Sequence, residues 1–138
     1  MNKEDYSKEM IKLKEKLSVG DIVCANYNGF NGEKRVGIFL IVYDERQDRI
    51  YTNGHTNLTC AKITSNNLLG NSYTVRIKPG EANLDSSCII NLSKMHTFVK
   101  EQIYKKLGRL SSNTMFNVFK ELRAFNNEME QQILENIY

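Results

Sequence analysis

From Asp21 to Leu92 turn residues cut the chain into short apolar runs, and none is long enough to make anything but a strand. The runs fall at residues 22–27, 35–43, 50–52, 58–64, 73–78 and 88–92. Between them stand Asn28-Gly29-Phe30-Asn31-Gly32, a charged turn over 44–48, the hairpin pair Asn53-Gly54 and Lys78-Pro79-Gly80. Asn and Gly accept the positive φ that tight connections demand, and Pro fixes a bend. Helical spacing appears only at the two ends. Tyr6, Met10, Leu13 and Leu17 recur three or four residues apart, and Gly20 can end that helix. Beyond Ser111 or Ser112, either able to cap, one face holds Met115, Val118, Phe119, Leu122, Phe125, Met129 and Ile133. Phe116 and Arg123 lie off that stripe. This order predicts a mainly β chain with helices (α+β), its strands forming a small barrel or an open sheet.

The 138 residues suit one domain, 1–138, with an added N-terminal helix over 1–17, a barrel over 18–110 and a C-terminal helix over 111–138. A chain of this size buries roughly two-thirds of its unfolded surface, enough for a core without staples. The longest apolar run, residues 36–43, falls well short of the ~20 residues a membrane helix needs. The first residues are charged and lack a secretory apolar core, so the expected location is cytoplasmic. Cys24, Cys60 and Cys88 are odd in number and set in apolar runs, which predicts reduced, buried thiols rather than disulfides or a zinc site. Residues 18–110 hold twelve Lys or Arg against eight Asp or Glu, while residues 111–138 hold two against four. The strand region is the basic part, which suits an anionic ligand such as RNA and equally suits an ordinary solvated surface.

Five local patterns, in this order, resemble the MazF/PemK family. They are Val19-Gly20-Asp21-Ile22-Val23, the run Glu33-Lys34-Arg35-Val36-Gly37-Ile38-Phe39-Leu40-Ile41-Val42, and Thr59-Cys60-Ala61-Lys62-Ile63-Thr64-Ser65. Asp85-Ser86-Ser87-Cys88-Ile89-Ile90 and Lys105-Lys106-Leu107-Gly108-Arg109-Leu110-Ser111 complete them. The resemblance spans residues 17–125. Members are toxins of type II toxin–antitoxin systems, small cytoplasmic endoribonucleases. The resemblance implies an SH3-like small barrel of the MazF/CcdB kind closed by a C-terminal helix, with the N-terminal helix as an addition.

Cleavage of RNA through its own 2′-hydroxyl requires that the attacking oxygen lose a proton, the leaving oxygen gain one and the phosphorane charge be stabilised. Arg35 suits the last task, because a guanidinium fork grips two phosphoryl oxygens and stays charged. Thr64 adds a hydroxyl. Arginine at a strand end is often merely solvated and threonine is common in strands, but both fall where the family carries its catalytic pair. For RNA contact the candidates are Phe30, Lys34, Ser65 and His96. Phe30 can stack an unpaired base or anchor its loop on the barrel, and Lys34 attracts phosphate. His96, with the intrinsic pKa of an acid–base group, stands in Lys94-Met95-His96-Thr97, where the family more often shows Gln-Ile-Arg-Thr. Val36 takes a family proline position, and the loop over 28–33 is short, so cleavage specificity does not carry over. No metal ligand set or cofactor is expected. The resemblance implies single-stranded RNA, such as mRNA, as substrate, a cognate antitoxin and a homodimer as partners, and no membrane. Two other readings share the fold: a non-catalytic RNA- or protein-binding barrel, and a gyrase poison resembling CcdB. The latter family relies on a C-terminal tryptophan, and this chain has none.

Overall fold

The computed structural model describes residues 17–45, 57–65 and 73–137. Of the expected N-terminal helix only Leu17 lies among them; the run at 50–52, the Asn53-Gly54 turn and His55 lie outside. The described residues form β1 (Asp21–Asn28), β2 (Lys34–Asp44), β3 (Asn57–Thr64), β4 (Thr74–Ile77), β5 (Cys88–Val99), β6 (Ile103–Arg109) and α1 (Ser112–Ile137). The strands make one antiparallel sheet in the order β4-β5-β3-β2-β1-β6.

The centre of the sheet is buried on both faces, which explains the unbroken apolar run of β2. Leu40 faces Ile22, Ala61, Ile90 and Leu92, and Val118 of α1 covers that side. Its neighbours Phe39 and Ile41 face the opposite way, onto Val23, Leu58, Cys60 and Phe98, with Leu17 packed among them.

The expected closed barrel is corrected by the strand order: among the described residues β4 and β6 are edges and do not pair. A 3-10 turn, Glu81–Asn83, fills the place of a closing ladder. Asn83 Nδ2 donates to the Leu107 carbonyl at 2.8 Å, so a side-chain amide stands in for a backbone donor. At Gly108 a Cβ would lie 2.6 Å from the Ala82 carbonyl oxygen, so only glycine admits this seam.

Two strand readings also change. β5 runs to Val99 rather than residue 92, past a bulge where the partners of Ala61 and Lys62 jump from Met95 to Asn91. The Asn91 carboxamide oxygen accepts from Ser93 N at 3.0 Å and Ser93 Oγ at 2.6 Å, satisfying the bulge locally and masking the strand from an alternation test. β6 escaped because Lys105 and Lys106 break its apolar pattern; it is an edge strand whose lysines guard it against further pairing.

Ser111 caps α1, its Oγ accepting from Thr114 N at 3.2 Å. Glu81 Oε1 in turn accepts from Ser111 N, Ser111 Oγ and Thr114 Oγ1, tying the closing turn to the helix start. Burial works against the Glu81 carboxylate, but those three hydrogen bonds and then the charge of Lys78 together outweigh it and lower its pKa. Ser111→Ala is expected to cost about 1 kcal/mol in urea denaturation through loss of the cap. The helix stripe is core only in its first half. Met115, Val118 and Leu122 pack on the sheet and the Phe125 ring meets Tyr73 at 5.3 Å, whereas Phe119, Met129 and Ile133 are exposed.

Candidate active-site groove

Beyond the last paired residues, Ile38 and Ile63, β2 and β3 carry Gly37 and Thr64 into a shared groove. It measures about 580 Å³, with Tyr27, Val36, Lys62, Ser65 and the 83–86 turn on its walls. Gly37 lets two rings close against its wall: a Cβ there would lie 2.9 Å from the Phe39 ring and 3.0 Å from the Tyr27 ring. Thr64 Oγ1 is buried and finds no hydrogen-bond partner among the described residues. An unsatisfied buried hydroxyl costs about 1–3 kcal/mol, so such an atom marks a place where a ligand group can be received.

Arg35 is two residues along β2 from Gly37, at a position of the same face. Its side chain does not line the groove; it folds over Gly29, where a Cβ would come within 2.6 Å of Arg35 Nε. There Nε donates to Glu33 Oε1 at 2.9 Å and Nη2 engages the same oxygen. That hydrogen bond and charge raise the arginine pKa, with a smaller contribution from the Tyr27 phenol. Tyr27 is the cross-strand partner of Arg35, and its phenol oxygen accepts from Lys62 Nζ at 3.3 Å. Tyr27 thus links the cation of β2 to the cation of β3.

Ser65 lines the groove with Thr64. Phe30 is fully exposed at the tip of the β1–β2 turn, so it is not packed on the sheet as a loop anchor. Lys34 borders a separate hollow with Asn26, Asn28 and Gln102 on the far side of Tyr27. His96 stands behind Tyr27, its ring 5.5 Å from Tyr27, 5.2 Å from Phe39 and stacked on Phe98 at 5.7 Å. Burial, then Lys62 and Lys94, lower its pKa. The folded chain therefore binds less proton than the unfolded chain just below pH ~6.5. This contribution to stability is complete above that pH and lost as pH falls from there through the lower folded midpoint. In NMR titration His96 is expected to protonate below the ordinary histidine value, and Lys62→Met to move that midpoint up. Burial pushes the Cys60 thiol up to about 12, so it is a poor nucleophile at neutral pH.

Neither Tyr27 nor Lys62 was among the residues singled out from the sequence. The available signal was Lys62 itself, a charge at an inward position of an otherwise apolar alternation. Among the described residues no three His, Cys, Asp or Glu are arranged to hold a metal ion, and no helix is long and apolar enough to cross a membrane.

Residues 18–125 match the family of PemK-like, MazF-like toxins of type II toxin–antitoxin systems. No curated protein matches the sequence. Among solved structures, an endoribonuclease in complex with its cognate antitoxin from a mycobacterial species is similar at TM-score 0.59 and 16% identity, covering 76% of this chain and 89% of that one. The Mycobacterium tuberculosis toxin MazF-mt6 is similar at TM-score 0.58 and 17% identity, covering 77% and 96%. The MazE–MazF structure from Deinococcus radiodurans gives TM-score 0.61 at 12% identity, covering 80% and 96%. At these identities the likeness concerns the fold, an antiparallel sheet with one C-terminal helix.

Proposed function

The chain belongs to the PemK/MazF toxin family, whose members are endoribonucleases, and from that premise we propose that it is a cytoplasmic, metal-independent endoribonuclease selective for sequence in single-stranded RNA. The observation that carries the reading is the orphaned Thr64 hydroxyl in a groove lined by Tyr27 and Lys62, with Arg35 two residues along β2 from Gly37. In the reaction the 2′-oxygen loses its proton and bonds to phosphorus. The bond to the 5′-oxygen breaks, and that oxygen takes up a proton. The products are a 2′,3′-cyclic phosphate and a 5′-hydroxyl. Arg35, released from Glu33, spans two non-bridging oxygens, and Thr64 donates to one of them. Lys62 and Tyr27 place an ammonium and a phenol beside the same phosphate. Ser65 and Lys34 contact the flanking chain, exposed Phe30 stacks an unpaired base, and His96 acts through Tyr27, whose ring it backs. A homodimer with RNA across its interface, and an antitoxin that occludes the groove, complete the proposal.

One observation favours a second reading, an RNA-binding module without turnover: the Arg35 fork is already engaged by Glu33. Incubation of the purified protein with a long mixed-sequence RNA in EDTA, with end mapping, decides between them. Discrete cuts bearing cyclic-phosphate ends support the enzyme; RNA retention without new ends supports the module.

A further inference from the structure

Helix α1 continues for twelve residues past the family match, to Ile137, and this segment carries Glu128, Glu130 and Glu135 and no cation. The preceding half carries Lys120 and Arg123 against the single acid Glu121. α1 rests on the sheet through Met115, Val118 and Leu122. Roughly a third of a turn around the helix runs a second strip, about 100° wide at 3.6 residues per turn. It begins with Phe116 and Phe119, 58% and 57% exposed, and ends with Leu134 and Ile137, 44% and 65% exposed. Arg123 and Glu130, both exposed, lie between.

The strip has a two-fold order. Phe116 and Ile137 are equidistant from the midpoint between Asn126 and Asn127, and so are Phe119 and Leu134, and Arg123 and Glu130. An antiparallel copy laid across that midpoint would therefore set apolar on apolar at both ends and Arg123 on Glu130 twice. In each facing pair the two residues lean to opposite sides of the strip's centre line, so their side chains interdigitate. Asn126 and Asn127 meet at the axis, where a polar pair fixes register. A parallel copy would instead set each charge against its like.

We propose that this flank of α1 docks a second copy of the chain, antiparallel and centred between Asn126 and Asn127. The contact is separate from the groove and does not rest on RNA cleavage. Sedimentation velocity on the full chain tests it. Arg123→Glu and Glu130→Arg are each expected to weaken this association at least tenfold, and the double exchange to restore it, since the pair is then reversed but intact. Asn127→Cys should give a disulfide-linked dimer on mild oxidation, whereas Glu135→Cys, on the other side of the helix, should not. A chain that is monomeric, or whose assembly is unmoved by both single reversals and leaves Asn127→Cys unlinked, would overturn the proposal. Failure of the double exchange to rescue would do the same, because general damage to the helix does not reverse.

Discussion

Replacing Arg35 by alanine is expected to slow RNA cleavage about 10²–10³-fold, the scale of losing one preorganised donor to an oxyanion. Arg35→Lys should recover little, because an ammonium cannot span two phosphoryl oxygens. Single-turnover rates on one defined RNA separate this from binding, since exposed Lys34 and groove-lining Lys62 still attract phosphate in the variant. Arg35 lies at a partly exposed strand end, so its loss should leave the denaturation midpoint nearly unmoved. An unchanged single-turnover rate would remove Arg35 from the chemistry and with it the proposed arrangement.

Asp21→Ala should have the largest effect on stability, about 3 kcal/mol. The Asp21 carboxylate is fully buried where β1 meets β6. Its Oδ1 meets Lys106 Nζ at 3.3 Å and Arg109 Nη1 at 3.1 Å, and its Oδ2 accepts from Ser18 N at 2.8 Å. Truncation leaves two cations and a backbone donor without that acceptor. The cost falls at the lower end for a broken buried pair, because the Lys106 and Arg109 side chains are 30% and 57% exposed and can turn to water. Asp21→Asn keeps an acceptor for Ser18 and should lose less. Urea denaturation with an unchanged slope is the measurement, and a loss below 1 kcal/mol would mean that the pair contributes little.

The strands that bury alternate or continuous apolar residues, β1 to β4, were legible in the sequence because their pattern is the packing itself. The second half of β5 and all of β6 were not. There a bulge and two edge lysines put polar residues where alternation calls for apolar ones, and only pairing with β3 and β1 makes those segments strands. Barrel closure was misjudged for a related reason: the seam is made by Asn83, Ala82 and Gly108, three residues whose roles exist only once the edges lie side by side. At the proposed site, Arg35 and Thr64 were singled out through register with a family. Their neighbours Tyr27 and Lys62 come from strands β1 and β3, which β2 separates, and the inward charge of Lys62 is the one local hint of that meeting.

The closed grip of Glu33 on Arg35 sets a threshold for any anion. On the proposed function, a lone inorganic phosphate would have to displace an internal carboxylate tethered two residues away. A strand of several phosphates is held at other points while that exchange takes place. On the same reading, such a latch favours a strand of several phosphates over a lone one by no more than the small worth of an exposed ion pair.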